Sequence, residues 1–181
     1  GASVNQNTGT MYVTANNVPY EIYLTKNKGK FLYYEYESHF EFFKDQNGFP
    51  ASKPPWGTLT ALNLNNGKII WQIPFGEFDE LTKKGLKKTG TPNFGGATGT
   101  AGELIFATGT MDKKVRAFNS NNGKEVWSYQ LPYIGSNPPT IFSYKNEQYV
   151  LITATGSLSL NRIFPNQAEY GNWLYCFKLI K

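Results

Sequence analysis

Apolar and polar residues alternate with a period of two in short segments of this chain, a pattern typical of half-buried β-strands. The segment TLTALNL, residues 58–64, is followed by NNGK and then by KIIWQI. Asn and Gly tolerate the positive φ angles of a tight primed turn, so this stretch predicts a β-hairpin. KVRAFN, SNNGK and EVWSYQL, within residues 114–131, predict a second hairpin of the same design.

The two hairpins are copies of one motif. The shared positions are Ala61, Asn63, Asn66, Gly67, Lys68 and Trp71 in the first copy, and Ala117, Asn119, Asn122, Gly123, Lys124 and Trp127 in the second. Each pair is 56 residues apart (127 minus 71). Units of ~40–55 residues with four strands are typical of β-propeller blades. Trp71 and Trp127 should therefore occupy equivalent places on successive sheets and clamp blade to blade.

The remaining patterns also favour strands. A closed propeller typically has four to eight blades, whereas this length holds roughly three to four. The sequence therefore predicts an all-β chain, residues 1–181 forming a single partial β-propeller. A short helical turn is predicted in FDELTKKGLKK, and the glycine-rich GTPNFGGATGTAG is predicted to be a turn region. Further predicted strands are TMYVTA, YEIYLT, FLYYEY, ELIFATG, PTIFSY, QYVLITA and NWLYCFKL.

Composition supports this class and excludes several functions. Aromatic residues make up 16% and charged residues 17%, which favours strands and turns. The net charge is +5, and its densest basic cluster, residues 83–88, follows acidic residues, so we expect a solvated face and no nucleic-acid partner. The single cysteine, Cys176, excludes a disulfide framework. His39 lies among aromatic residues and is predicted to be packed, and no His, Cys or carboxylate cluster has metal-ligand spacing. The opening GASVNQNTGT lacks an initiator Met, so we expect the chain to begin inside a longer protein.

The repeat A-x-N-x-x-N-G-K-x-x-W resembles the tryptophan-docking motif of pyrroloquinoline-quinone (PQQ) dehydrogenases. The stretches GFPASKPPWGTLTALNLNNGKIIWQIPFGEF, TGTPNFGGATGTAGELIFATGTMDKKVRAFNSNNGKEVWSYQLP and NEQYVLITATG look like the C-terminal portion of the membrane-type quinoprotein glucose dehydrogenases. The order and spacing are similar over nearly the whole chain. The resemblance implies the last portion of an eight-bladed propeller.

The resemblance also implies a function for the full-length parent. Family members oxidise a sugar or alcohol with PQQ beside a calcium ion, and they pass electrons to ubiquinone or a cytochrome. The implied parent is a periplasmic protein, either attached to a membrane or free of it. The remaining blades of its propeller would be partners of this chain. The catalytic base and the calcium ligands of the family lie upstream of the region resembled. We therefore assign no catalytic or metal-binding residue, and expect the fragment alone to be inactive and to bind no cofactor tightly.

Three residues match family positions near the cofactor. Asn16 matches an amide that contacts the quinone, although a turn-capping Asn is an equal alternative. Phe94, before Gly95 and Gly96, matches an aromatic over the cofactor, although an ordinary aromatic beside a glycine loop is the alternative. Asp112 matches a cofactor-region carboxylate, although an exposed hairpin tip is the alternative, with Lys114 and Arg116 solvated beside it. Because equivalent loops of successive blades emerge at one face, Asn16 and Phe94 should lie near the same axial end.

One departure puts glucose as the substrate in doubt. After VLITATG the sugar-oxidising branch often has His, whereas this chain has Ser157, whose hydroxyl cannot act as a base near neutral pH as imidazole can. Two other functions remain open. A cofactor-free propeller could serve as a protein-binding scaffold, but it would not need PPWGTLTA or TPNFGG. A carbohydrate-binding module would need Tyr and Trp clustered on one face.

Overall fold

The computed structural model describes residues 1–29 and 34–179. Half of the predicted strand FLYYEY, residues 31–36, lies outside the described residues. The described elements in chain order are β1 (Ala2–Asn5), β2 (Thr10–Asn16), β3 (Tyr20–Lys26), β4 (Tyr36–Phe42), β5 (Gly57–Asn63), β6 (Lys68–Pro74), α1 (Asp79–Lys83), β7 (Asn93–Gly99), β8 (Leu104–Thr110), β9 (Lys114–Asn119), β10 (Glu125–Gln130), β11 (Thr140–Tyr144), β12 (Glu147–Ala154), α2 (Leu158–Ile163) and β13 (Trp173–Lys178).

The strands form antiparallel sheets of the blade type. Blade 1 has the strand order β1-β2-β5-β6, and blade 2 has the order β7-β8-β9-β10. A third sheet, blade 3, has three described strands in the order β11-β12-β13. The ribbon β3-β4 is an insertion between the second and third strands of blade 1. The prediction of an all-β arc of propeller blades is confirmed.

The repeated hairpins match residue for residue. Trp71 lies opposite Ala61 and Trp127 lies opposite Ala117, and each tryptophan is preceded by an extra, bulged residue in its strand. The turns differ from the predicted primed type because only the glycines, Gly67 and Gly123, have positive φ. The asparagines act through their side chains instead, as the Oδ1 atoms of Asn63 and its counterpart each accept a backbone N–H two residues ahead.

The sequence patterns missed three strands, β1, β4 and β7. The segment GTPNFGGATGTAG contains β7, the first strand of blade 2, as well as turns. A Cβ on Gly95 would collide with the carbonyl of Thr108 on the neighbouring strand, so the glycine permits close approach of two strands. The sequence patterns also missed α2, which begins after Ser157.

Blades 1 and 2 share one hydrophobic core. Leu59, Phe75 and Ile105 are fully buried in it, and Trp71 packs on its edge, stacked on Tyr12. Aromatic and aliphatic side chains of both blades thus remove one continuous apolar surface from water, the main force that holds adjacent blades together.

Long connections gather at one axial end of the blades. Antiparallel strands alternate in direction, so the connections β2–β5, β6–β7, β8–β9, β10–β11 and β12–β13 emerge at the same end. They contain the ribbon, both helices and the Asp112 turn, and we call this side the loop end. The opposite end has short turns between the strands. Within residues 1–29 and 34–179, no helix is long and apolar enough to cross a membrane.

Candidate functional site

Asn16 bridges blade 1 to blade 2 at the loop end. It is the last residue of β2, and its Nδ2 donates to the backbone O of Asn93 at 2.9 Å. Its Oδ1 accepts hydrogen bonds from the backbone N and from the Nδ2 of Asn93, both at 2.9 Å. A primary amide carries two N–H donors, so the exposed Asn16 side chain keeps one N–H for another acceptor.

Phe94 follows Asn93 in the chain, so the bridge brings Asn16 and Phe94 together although 78 residues separate them (94 minus 16). Phe94 lies at the start of β7 and is 38% exposed. An aromatic ring left in water near the end of a blade offers a flat apolar surface to a ligand. The cofactor contacts of both residues stay predictions.

Asp112 is buried, in contrast to the exposed hairpin tip considered as its alternative. Both of its carboxylate oxygens accept hydrogen bonds from the Arg116 guanidinium. Oδ1 also accepts from the Thr110 hydroxyl, and Oδ2 accepts from the backbone N of Glu77 at 2.9 Å. The carboxylate therefore ties the β8–β9 turn to the connection that follows blade 1.

The prediction that Arg116 is solvated was wrong, because its side chain is only 7% exposed. Its Nε donates to Glu125 at 3.1 Å, so two carboxylates surround one guanidinium. Burial by itself lowers the pKa of Arg116, but the hydrogen bonds and charges of Asp112 and Glu125 outweigh it and raise the pKa. The guanidinium is therefore a permanent cation that Asp112 must neutralise inside the protein.

Ser157 has a structural role at the position where the related branch often has His. Its side chain is buried and accepts a hydrogen bond from the backbone N of Leu160 at 3.3 Å. Ser is a favoured residue for capping the first turn of a helix in this way. The hydroxyl thus holds the start of α2 at the loop end.

His39 lies away from these residues, on β4 of the inserted ribbon. Its ring stacks on Tyr23 with centroids 5.0 Å apart and lies 2.6 Å from the Thr25 hydroxyl. His39 is itself half-buried, and its predicted packing amounts to contact with one aromatic ring on a largely exposed face of the ribbon.

A cavity of about 230 Å³ lies beside Asp112 at the loop end. It is walled by side chains of α1, of the Asp45–Phe49 turn and of the segment after α2, with Glu77 and Phe164 among them. Neither Asn16 nor Phe94 contributes to its lining as the structure describes it. The cavity and the Asn16–Phe94 pair are thus separate features of the same end of the molecule.

The donor set fits an organic ring better than a metal ion. In the described part of the chain, no three His, Cys, Asp or Glu side chains are placed to hold a metal. Asn16 offers an N–H to an acceptor oxygen and Phe94 offers an apolar face, which together suit a flat quinone. Asp112 offers no free oxygen because its partners lie within the protein.

Sequence reasoning missed two residues of this region. Asn93 follows a proline and precedes an aromatic residue, and no local pattern marks it as the partner of Asn16. The pairing of Arg116 had a signal, because a carboxylate lies four residues earlier, within the short turn that precedes β9.

Comparisons with known proteins identify relatives over most of the chain. Residues 1–150 match the family described as "PQQ: Glucose/ethanol/alcohol dehydrogenase, beta-propeller domain". The chain is 34% identical over 172 residues to a quinate/shikimate dehydrogenase (quinone) of Acinetobacter baylyi, an alignment covering 91% of this chain and 19% of that protein. It is 31% identical over 136 residues to quinoprotein glucose dehydrogenase A of Acinetobacter calcoaceticus, covering 73% of this chain and 16% of that protein.

A solved structure gives the same fold. A europium-containing methanol dehydrogenase superposes with a TM-score of 0.70 at 19% identity, covering 98% of this chain and 32% of that one. At this identity the likeness shows the fold alone, and the sheets match part of an eight-bladed propeller. The chain spans about a fifth of the length of the curated relatives it matches.

Proposed function

Because this chain belongs to the PQQ β-propeller dehydrogenase family, we propose that it forms part of the cofactor rim of an enzyme that oxidises a CH–OH group. The observation that carries the proposal is the Asn16–Asn93 bridge, which joins Asn16, with one free amide N–H, to the residue that precedes the exposed Phe94. The remaining blades, the catalytic base and the calcium ligands would come from the rest of the parent protein. The electron acceptor would be a quinone or a cytochrome, and the parent would be periplasmic and attached to a membrane.

PQQ supplies a two-electron quinone acceptor beside a calcium ion when it is bound. This chain's own residues would position that group. Asn16 would donate its free N–H to an acceptor oxygen, and Phe94 would exclude water from the ring edge. Asp112 would be a positioning residue, because its pair with Arg116 fixes the turn without leaving an oxygen for the ligand.

A cyclic polyol acid such as quinate is the substrate class we favour over glucose. Ser157 is committed to capping α2 and cannot replace the imidazole that the sugar-oxidising branch often has there. The quinate relatives also align over 91% of this chain, whereas the glucose relatives align over 73% or less. Dye reduction by the full-length parent with PQQ and calcium, assayed on quinate, shikimate, glucose and ethanol, tests this preference. Faster turnover of glucose than of quinate would contradict it.

The cofactor contacts are tested by titrating PQQ into the full-length parent. Losing one neutral hydrogen bond costs about 0.5–1.5 kcal/mol, so Asn16→Ala should weaken PQQ binding several-fold. Phe94→Ala should weaken it further by admitting water. Asn93→Ala is the matched control, because it removes one bond of the bridge but keeps the Asn16 amide and both backbone contacts. Equal PQQ affinity in all variants, with unchanged melting curves, would refute the site.

The isolated chain should reduce no dye with PQQ and calcium present. A divalent ion beside a quinone needs converging carboxylates, which we assign to the rest of the parent. PQQ-dependent dye reduction by the pure 181-residue protein would show that this assignment is wrong.

A further inference from the structure

The β3–β4 ribbon separates apolar and acidic side chains onto its two faces. The register places Tyr20 opposite Phe42 and Ile22 opposite Phe40, with Leu24 next along the same face. We call these five residues the apolar ribbon face. The other face carries all three carboxylates of the two strands, namely Glu21, Glu37 and Glu41.

The apolar ribbon face is open to solvent along most of its length. Ile22, Leu24 and Phe40 are 62%, 65% and 64% exposed. At its base Phe42 packs against Phe164, with ring centroids 5.7 Å apart, so the face continues the buried cluster under the loop end. These three neighbouring side chains form one contiguous apolar patch, and contiguous apolar patches are surfaces at which proteins bind membranes or partners.

The positive charges of the ribbon lie at one end of the apolar ribbon face. Lys26 is the charged residue of the apolar side, where it lies opposite Tyr36, and Lys28 follows just beyond the strand. Lys26 has one exposed carboxylate partner, Glu35 at 3.6 Å, an arrangement worth little in water. A tyrosine thus lies at each end of the apolar stretch and lysines lie at its tip, a pattern that suits the boundary between lipid tails and headgroups.

The size of the face argues against a second protein as the occupant. Each strand has seven residues, so at about 3.3 Å per residue and about 4.8 Å between strands the face measures roughly 23 by 10 Å. This is well below the ~800 Å² per partner of a stable protein interface. A lipid surface needs no such area or shape match, because a few apolar side chains and nearby cations suffice for reversible binding.

We propose that the β3–β4 ribbon docks on an anionic lipid surface through its apolar ribbon face, with Lys26 and Lys28 at the headgroups and the carboxylate face in water. The docking needs neither PQQ nor the rest of the parent protein. Its failure would therefore leave the proposed dehydrogenase function untouched, and the reverse also holds.

The test is flotation of the 181-residue chain with phosphatidylcholine vesicles that contain or lack phosphatidylglycerol. We expect binding that increases with phosphatidylglycerol and weakens with salt. Ile22→Ser combined with Leu24→Ser should reduce binding about a hundredfold, because each residue loses its apolar burial. Lys26→Gln with Lys28→Gln should reduce binding to the anionic vesicles by about fivefold per lysine.

Leu158→Ser with Leu174→Ser is the matched control, since these side chains are 56% and 61% exposed but lie off the ribbon. This control should bind vesicles as the unmodified chain does, and circular dichroism should show all variants folded. An equal loss of binding in the control, or no flotation of the unmodified chain, would overturn the proposal. Sedimentation showing a dimer that Ile22→Ser and Leu24→Ser dissociate, without vesicle binding, would assign the face to a second copy instead.

Discussion

Blades 1 and 2 carry the same hairpin motif but make different use of it. In blade 1, Trp71 Nε1 donates to the carbonyl of Ser120 in blade 2 at 2.9 Å, and its ring lies on Gly123. In blade 2, Trp127 is 38% exposed and packs edge-on against Phe177 of blade 3. The same local sequence therefore gives a docked indole only where the next blade presents a complete second copy of the motif.

The two blades also close the start of their third strand differently. Trp56 precedes Gly57 of β5, and it is buried between the rings of Phe49 and Phe78. The counterpart of Trp56 in blade 2, again 56 residues on (112 minus 56), is Asp112 in its ion pair. One repeat position is thus filled by aromatic packing in one blade and by a buried salt bridge in the other.

The largest effect should come from breaking that buried ion pair. Asp112→Ala leaves the buried Arg116 guanidinium with only the half-exposed Glu125 as a counter-charge. Loss of one partner of a buried pair costs about 3–5 kcal/mol of unfolding free energy. Urea denaturation of the chain measures it. Glu125→Ala removes the half-exposed partner of the same guanidinium and should cost about 0–1 kcal/mol. Similar losses in the two variants would mean that burial does not distinguish the two carboxylates.

Truncating the two tryptophans separates the docked indole from the open one. Trp71→Ala removes stacking on Tyr12, the Ser120 hydrogen bond and core contacts, so it should cost about 3 kcal/mol. Trp127→Ala should cost about 1 kcal/mol because part of its surface is already in water. Thermal melts of both variants give the comparison. Equal losses of stability in the two variants would mean that the docked indole of blade 1 contributes no more than the exposed indole of blade 2.

The paired glycines sharpen the comparison further. Gly123 and Gly67 have φ of 70° and 71°, so alanine suffers the same backbone strain at either position. A Cβ on Gly123 would lie 2.8 Å from Trp71, whereas a Cβ on Gly67 meets nothing within 4 Å. Gly123→Ala should therefore be less stable than Gly67→Ala by about 1–3 kcal/mol, the usual cost of overpacking. The difference in urea midpoint between the two variants measures the clash of the new methyl group with the Trp71 indole. Equal midpoints would show that there is no such clash.

A small effect is expected at the blade 1 counterpart of Arg116. Thr60 accepts a hydrogen bond from Gln72 Nε2 at 2.9 Å, where blade 2 has the ion pair. Thr60→Val removes this neutral bond at similar volume and should cost about 0.5–1.5 kcal/mol. Urea denaturation measures this cost as well. A loss of unfolding free energy as large as that of Asp112→Ala would show that the neutral hydrogen bond of blade 1 stabilises the protein as much as the ion pair of blade 2.

Most strands followed from the sequence, whereas β1, β4 and the glycine-rich β7 did not. The alternation that predicted β5, β6, β9 and β10 is a local feature of the sequence. In the structure, however, β5 and β9 are buried on both faces and β10 is exposed on both. β7 was not predicted because its glycines are required by the close approach of a neighbouring strand, and this requirement leaves no periodic pattern in the sequence. The prediction of a primed turn was also wrong. It assumed that the asparagines adopt positive φ, whereas Asn63 instead accepts a backbone hydrogen bond with its side chain and only the glycine has positive φ.

The sequence by itself determined the fold class, the repeat and the family to which the chain belongs. Each of these follows from the periodicity of residues and the spacing of motifs along the chain, which can be recognised without knowledge of three-dimensional contacts. Only the tertiary structure decided that Asn16 is joined to Asn93, that Arg116 is buried and that the inserted ribbon leaves one apolar face open. These properties depend on residues far apart in the chain. Burial and charge pairing are set by neighbours in space, which one-dimensional patterns cannot specify.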